Sequence, residues 1–386
     1  MAIKHDLTPK LLMNRCSSFF NKKKVLFITN SLVVKGGVEC RTFEQMLYFQ
    51  KKGYQTELCV LRVMGPLASW FTSNGLKVTY FPLYKSQLVS TNPIIFFQFY
   101  LYILMNRFGI IVCVQPISHY LGRIGCFPPM GRRIVAMERT NIDNRSKGKL
   151  ILDFICSLWT NRIICVSQHI ADFLLKESNI KPDKIVVISD PTRITPPSNH
   201  SVPVKYQIKN KFVFGTVGHF FPLKCHHLLI ESFSKFVERY PDSALLLVGD
   251  GPEKANLKLL CKTLNIEDKV FFVGEQSFPH DYYPLFDVFV FPSISEGLGS
   301  VFYEAMHHRL PVICSDIRPL SDHITHGYDG LLFQPESVED LLKKMTLLHQ
   351  NPFLRNTIRV NGYELARKKF DYELLMGKLF HAITEE

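Results

Sequence analysis

The stretch FVFPSISEGLGSVFYEAMHHRLPVICSD, residues 289–316, decides the fold. Val288 to Phe291 form an apolar run that predicts a buried strand, and Pro292 stops it. Gly297 and Gly299 bracket a tight loop. A helical pattern follows from Ser300 to His307, and Pro311 to Cys314 predicts the next strand. A strand–loop–helix–strand unit of this kind gathers polar groups at the strand's carboxyl end and the helix's amino end. Open α/β sheets bind ligands there, and the N–H groups of a helix start favour an anion or sugar oxygens. Glu296 stands before the helix and Glu304 within it, eight residues apart. One carboxylate can meet the near end of a ligand and the other a group further along. By residue type alone, a capping role for Glu296 and a solvated Glu304 fit as well.

The segment PSISEGLGSVFYEAM, residues 292–306, resembles the Glu-x7-Glu signature of the retaining nucleotide-sugar glycosyltransferases of family 4. The resemblance implies the α/β architecture called GT-B, two doubly wound Rossmann-like domains facing a central cleft. It implies that Glu296 and its loop, Gly297, Leu298, Gly299, Ser300 and Val301, meet the transferred sugar and its donor. Glu304 would bind the ribose hydroxyls.

The surrounding sequence supplies the other parts of a donor site. Moving a sugar off a nucleoside diphosphate requires charge stabilisation of the departing group. Lys224, in GHFFPLKCHH (218–227), stands just beyond a strand predicted at 212–217. Relatives carry a GR…KG pattern here. Lys224 matches its lysine, His219 occupies the place of the arginine, and Cys225 replaces the glycine. A neutral imidazole does not substitute for a fixed cation. Gly249, Asp250 and Gly251, with Phe272, Val273 and Gly274, fall at the ends of two further strands, where the resemblance places recognition of the base, commonly uracil. No DxD motif is well placed, so lysine and helix N-termini are expected to neutralise the diphosphate without a metal or other cofactor. The histidines show no metal-ligand spacing, and the adjacent pairs His226–His227 and His307–His308 point apart on a helix.

The same strand–helix alternation runs through the first half. Strands are predicted at 24–29, 56–61, 77–81, 110–114, 133–137, 162–166 and 184–188, and helices at 90–106, 118–126, 149–159 and 168–177. Apolar strands alternating with helices mean a parallel sheet covered on both faces. The first strand–helix turn is not the dinucleotide fingerprint GxGxxG. It is GGVE (36–39), in which Gly36 and Gly37 allow close backbone approach to a ligand. The resemblance sets such a loop against the donor phosphates and acceptor, with Glu39 on an acceptor hydroxyl or capping its helix. Relatives often place a histidine after the strand that here reads RIVAM. This chain has Glu138 and Arg139 there. Arg139 matches the position but stays protonated and cannot act as a base. His119 is a neighbouring candidate, otherwise a surface or packing histidine. Retention in the family is attributed to front-face attack assisted by the leaving phosphate, which needs no protein nucleophile.

Length and composition agree. A chain of 386 residues, 46% apolar, suggests two domains. The expected organisation is an acceptor domain (1–190), a proline-rich linker (191–210), a donor domain (211–368) and a C-terminal amphipathic helix (369–386). That helix either crosses back to the first domain or caps the second. Within the second domain, helices are expected at 225–240, 253–264, 279–284, 338–348 and 352–368, and strands at 244–249, 270–274 and 330–333. Ten scattered cysteines without a CxxC pair, and a polar opening MAIKHDLTPK unlike a signal peptide, point to the cytoplasm or a cytoplasmic membrane face. Residues 1–200 hold 26 Lys and Arg against 11 Asp and Glu, whereas the remainder holds 20 against 23. A basic half suits phosphates or an anionic membrane. Nucleic acid is not expected, since no matching motif or dense basic helix is present. Residues 93–105 are very apolar but too short to span a bilayer. Leu11, Leu12, Phe19 and Phe20, followed by Lys22 to Lys24, suit a membrane-contacting segment or a flexible leader.

The combined expectation is a retaining glycosyltransferase. It would move a hexose or N-acetylhexosamine from a nucleotide sugar, with a UDP-sugar the expected donor, to a glycan or lipid-linked acceptor in cell-surface polysaccharide or glycolipid synthesis. The alternatives are a non-catalytic binder of sugar nucleotide or glycan and a UDP-sugar epimerase, which the Glu-x7-Glu loop fits poorly.

Overall fold

The computed structural model describes residues 20–385, except 34–35, 86–87, 90–92, 144, 195–201, 203–207 and 277–278. Leu11, Leu12, Phe19 and most of the linker lie outside the described residues. The chain divides into two compact units, Met1–Asp190 with Glu373–Glu386, and Pro191–Tyr372.

The first unit is built on a parallel sheet. Its elements are β1 (Asn21–Ser31), α1 (Gly37–Lys51), β2 (Gln55–Val63), α2 (Leu67–Ser73), β3 (Lys77–Tyr80), the two-residue strands β4 (Tyr84–Lys85) and β5 (Leu88–Val89), α3 (Pro93–Met105), β6 (Phe108–Cys113), α4 (Pro116–Ile124), β7 (Arg133–Glu138), α5 (Lys147–Ser157), β8 (Arg162–Cys165), α6 (Gln168–Glu177) and β9 (Ile185–Val187). The strand order is β3-β2-β1-β6-β7-β8-β9, while β4 and β5 form a separate antiparallel ladder. The chain winds outward from β1, then crosses back to lay β6 beside it. This makes β1/β6 the point where strand order reverses.

Side-chain alternation along β1 assigns the helices to faces. Leu26 and Ile28 join a core with Phe99 and Ile103 of α3 and Leu121 of α4. Phe27, on the other face, meets Phe49 of α1 edge-on at 5.7 Å. Gly122 and Gly125 let α4 sit close, since a Cβ at either would fall within 2.8 Å of Cys113 Sγ or 2.4 Å of the Phe99 ring.

The second unit holds β10 (Phe212–Val217), α7 (His226–Arg239), β11 (Ser243–Val248), α8 (Lys254–Thr263), β12 (Val270–Gly274), β13 (Val288–Phe291), α9 (Ser300–His307), β14 (Val312–Ser315), β15 (Leu331–Phe333), α10 (Val338–Gln350) and α11 (Pro352–Lys369). All sheet pairings are parallel, in the order β12-β11-β10-β13-β14-β15. Here the reversal lies between β10 and β13. The two units are the pair of Rossmann-like sheets that the GT-B resemblance implies.

The last helix, α12 (Tyr372–Thr384), belongs to the first unit. Phe380 packs against the rings of Phe49, Tyr54 and Tyr48. Arg133 donates to the carbonyls of Ile383 and Ala382 at 2.8 and 3.0 Å, satisfying two of the acceptors a helix end leaves open.

Three sequence expectations change. The helix expected at 279–284 is two 3₁₀ turns, Pro279–Asp281 and Tyr283–Leu285. Pro284 lacks the N–H that an α-helix would need there. The short helix α2 and the β4–β5 ladder were not anticipated. Among the described residues, no helix is long and apolar enough to cross a membrane.

Candidate functional site

In the second unit, polar groups collect where β10 and β13 part. After β10 the chain makes a 3₁₀ turn at Pro222–Lys224. After β13, the loop 292–295 is tied to that turn: Ile294 N and Ser293 Oγ donate to the Leu223 carbonyl at 3.0 and 3.1 Å. The tie brings Lys224 Nζ to 2.5 Å from Glu296 Oε1, with the ammonium also 5.3 Å from the centre of the Phe291 ring. The Lys224 side chain is 27% exposed and that of Glu296 10%, so the pair is partly screened from water and still open to a ligand.

Two backbone conformations hold this arrangement. Cys225, which opens α7, has φ +49 and ψ +40, a left-handed geometry that costs roughly 1–2 kcal/mol for a residue with a Cβ. A glycine, as in the GR…KG pattern, would be free of that cost. Gly299, at the start of α9, has φ +76, and a Cβ there would lie 2.8 Å from Leu320 and 2.9 Å from Phe291. Gly297 and Leu298 are buried beside it. The first N–H groups of α9, from Ser300 and Val301 onward, have no acceptor within their helix. They start just past Glu296 in the chain.

Glu304 lies in α9 and is buried, 7% exposed. It is therefore not the solvated residue that residue type alone allowed. The Tyr283 hydroxyl donates to Glu304 Oε2 at 2.9 Å, and His308 stacks on the Tyr283 ring at 4.8 Å with planes 9° apart. Tyr283 escaped the sequence reading because its segment read as helix. The double tyrosine between Pro279 and Pro284 was the available signal.

The loops after β10, β11 and β12 form a second assembly. Gly249 approaches Gly218 so closely that a Cβ would lie 1.9 Å from the Gly218 oxygen. Phe220 N donates to the Asp250 carbonyl, Glu253 N to the Phe220 carbonyl and Gly249 N to the Gly274 carbonyl, at 2.9–3.1 Å. Phe272 meets Phe220 at 6.1 Å. His219 is half-buried in the same loop. Asp250 accepts from Lys254 Nζ and Gly251 N, and these bonds hold its carboxyl below the usual carboxylate range. Val273 is half-buried at the end of β12.

In the first unit the β1/β6 reversal holds another cluster, centred on Gln115. Its Oε1 accepts from Thr29 Oγ1 and Asn30 N at 2.9 and 2.8 Å, and its Nε2 donates to Glu39 Oε1 at 2.9 Å. Gln115 was missed, although a polar residue ending the strand at the crossover was a usable signal. Gly36 caps α1 in an extended conformation, and Glu39 folds back over it, with Oε2 2.8 Å from where a Cβ would stand. Burial raises the Glu39 carboxyl, partly opposed by its hydrogen bonds to the helix start and Gln115. Gly37 begins α1 with open space at its Cα. Arg139, fully buried after β7, lies with Nε 3.1 Å from Asp190 Oδ1 and donates from Nη1 to Thr42 Oγ1 at 3.1 Å.

His119 and Glu138 face each other rather than solvent. His119 Nδ1 is 2.8 Å from Glu138 Oε1, and both residues are at most 2% exposed. His119 is thus a buried residue, and the surface reading is corrected. Arg145 bridges Glu138 and Asp153 at 2.5 Å each. Burial raises the Glu138 carboxyl, but His119 and Arg145 outweigh it and hold the group well below the usual range.

Among the described residues, no group of three His, Cys, Asp or Glu side chains could hold a metal ion. In chemical terms the second unit pairs one lysine with one carboxylate at the sheet's reversal point, with the start of α9 just past them in the chain and a second carboxylate, Glu304, within that helix. That set can bind a diphosphate, a sugar and a ribose.

Residues 35–192 match the family described as Glycosyltransferase Family 4, and residues 201–365 the family described as Glycosyl transferases group 1. An uncharacterized glycosyltransferase of Haemophilus influenzae is 29% identical over 239 residues, covering 62% of each chain. The UDP-Gal:alpha-D-GlcNAc-diphosphoundecaprenol alpha-1,3-galactosyltransferase of Escherichia coli is 27% identical over 234 residues, 56% of this chain and 60% of that one. The chain therefore spans about three-fifths of the length of these curated relatives. HepE of Anabaena, solved with UDP and glucose, superposes with a TM-score of 0.81 at 19% identity, over 94% of this chain and 100% of that one. At that identity the likeness is one of fold.

Proposed function

The chain belongs to the group 1 and family 4 glycosyltransferases, and we propose that it transfers a hexose or N-acetylhexosamine from a UDP-sugar to a glycan or lipid-linked acceptor with retention of configuration. The observation that carries this reading is the Lys224–Glu296 pair at the β10/β13 reversal, beside the N-terminus of α9. The names of the relatives support it, since the Escherichia coli protein is described by a UDP-sugar donor and a diphosphoundecaprenol-linked acceptor.

In the proposed mechanism the diphosphate enters between Lys224 and the first N–H groups of α9. Glu296 then exchanges its contact with Lys224 for hydroxyls of the sugar. Glu304, held by Tyr283, accepts hydrogen bonds from the ribose. The loops at 218–220, 249–251 and 272–274 flank the base, with His219 near the phosphates. As the sugar–phosphate bond breaks, negative charge grows on the departing oxygen, and Lys224 stabilises that charge more than it stabilises the ground state. The acceptor attacks the same face, and the leaving phosphate takes its proton. Charge neutralisation by Lys224 and α9 requires no metal in this scheme.

On the acceptor side, Glu39 is the proposed contact, with Gly36 and Gly37 giving backbone access, and Arg139, its side chain buried against Asp190 and Thr42, supports Glu39 through its charge. Glu138 and His119 act through their buried pair, which fixes the end of β7 where Arg139 begins. The reaction is proposed for the cytoplasmic face of an anionic membrane, with no nucleic-acid partner.

The test is a screen of UDP- and GDP-sugars against a lipid-linked acceptor extract, reading product mass and anomeric configuration. A product that keeps the donor's configuration supports the reading, and an inverted product overturns it. His219 and Arg139, which depart from the family pattern, favour a non-catalytic sugar-nucleotide binder as the second reading. Tight UDP binding without transfer or hydrolysis of any donor would select that one.

A further inference from the structure

One face of the first unit carries an unusual surface. Helices α3, α4 and α5 cover the side of the sheet to which Leu26 and Ile28 point. On α5, Ile151, Phe154 and Ile155 project outward, and Leu158 follows at 63% exposure. The same helix buries Asp153, Cys156 and Ser157 on its inner side. On the neighbouring α4, Ile124 is 45% exposed, and Phe127 just beyond it lies 5.1 Å from the ring of Trp159. On α3, Ile94 and Phe97 are each at least 60% exposed. Scattered exposed apolar residues are ordinary, but a concentration on adjoining helices marks a contact surface.

Charge identifies the partner. Helices α3 and α4 contain no acidic residue, and the single acidic residue of α5, Asp153, is buried in its pairs with Arg145 and Arg123. Lys147 and Lys149 are exposed in the first turn of α5. That is the wrong end of a helix for cations, because the macrodipole there is positive. The two lysines therefore oppose their own helix, and a benefit outside it would explain them. A second copy of the chain would bring lysines against lysines with no exposed carboxylate on these helices to answer them. An anionic bilayer answers both features, accepting the apolar side chains among its acyl chains and the lysines among its headgroups.

We propose that the outer face of α5, with the exposed ends of α3 and α4, is the surface by which the protein docks on an anionic lipid membrane. The proposal gives the membrane contact suggested above a location and a mode, insertion of side chains in addition to charge attraction. It rests on the glycosyltransferase reading only for its purpose.

The experiment uses the full chain without donor or acceptor, so its outcome is separate from that of the transfer assay. Flotation is measured with vesicles of phosphatidylcholine, alone or with a minor share of phosphatidylglycerol. The wild type is expected to float only with the anionic vesicles. Ile151→Ser with Phe154→Ser is expected to lower partitioning about tenfold, as is Lys147→Glu with Lys149→Glu. Lys51→Glu with Lys52→Glu, at the end of α1 on the opposite face, is expected to change it little. A second readout does not depend on these variants. In a Trp70→Phe background, fluorescence from Trp159 is expected to be quenched by lipids brominated on their acyl chains. Equal partitioning of all variants, no vesicle binding, or unquenched Trp159 would each overturn the proposal. So would a dimer, seen by light scattering, that the α5 variants dissociate, which would assign the face to a second copy.

Discussion

Lys224 cannot give its full charge to Glu296 and to a diphosphate at once, and this conflict is what makes it testable. Its contact with Glu296 contributes to the resting site, whereas its proposed role is in the transition state. Lys224→Ala is expected to lower kcat strongly while leaving the denaturation midpoint nearly unchanged, with about tenfold lost per 1.4 kcal/mol of missing stabilisation. Lys224→Arg should restore part of the rate, because the guanidinium fork places its charge differently. Initial rates at saturating acceptor check both. Tyr283→Phe tests a contact that only the structure shows. Removing a hydrogen bond to a charged group costs about 1.5–3 kcal/mol, so UDP affinity should fall by at least about tenfold as Glu304 loses its orientation, with kcat at saturating donor less affected. Lys224, Glu296 and Glu304 were legible in the sequence because spacing around a strand–helix turn fixes where such residues stand. Tyr283 and Gln115 were not, because neither stands in such a turn pattern, and the pairs themselves, Lys224 with Glu296 across 72 residues, Tyr283 with Glu304 across 21 and Gln115 with Glu39 across 76, needed the fold.

At the scale of elements, the turns after β10 and β13 carry the site, and their backbone conformations make specific demands. Cys225→Gly removes a buried thiol but relieves a left-handed residue, two effects of similar size. Stability should therefore shift by less than about 1 kcal/mol. Cys225→Val adds a branched Cβ at φ +49 and should destabilise by more than about 2 kcal/mol. Denaturant midpoints for the two variants give the comparison. The alternation of strands and helices was readable from periodicity, and α6 falls on the residues expected for it. The exceptions have local causes. Pro284 turned an apparent helix into 3₁₀ turns, and α2, seven residues long, is too short to show a helical period. The position of α12 depended on where Phe49 and Tyr54 present their rings, which no local pattern in α12 encodes.

For the whole molecule, buried histidines set the response to acid. Burial lowers His226 to about 3, assisted by Lys224 and His227. It lowers His308 to about 4 with His280 and His307, and His323 to about 4 with Lys369. Each is neutral when folded and takes up a proton near pH 6.5 when unfolded. Their contribution to stability is complete above about pH 6.5 and is lost as the pH falls toward 4 and below. All three lie in the second unit. Its thermal transition should therefore decline below about pH 6.5, and His308→Gln should flatten that decline. Hydrogen exchange on amides of α7 and α9 checks the location. The basic first half and near-neutral second half were evident in the sequence, but the gathering of apolar side chains on one helix layer needed the fold.

The central claim is that the second unit clamps a diphosphate through Lys224. Calorimetric titration of UDP and of uridine into the wild type and Lys224→Ala tests it most directly. The account expects UDP to bind at least about tenfold more tightly than uridine to the wild type, and that advantage to shrink severalfold in Lys224→Ala while uridine binding is unchanged. Equal binding of UDP and uridine by the wild type, or an advantage that survives Lys224→Ala intact, would contradict it.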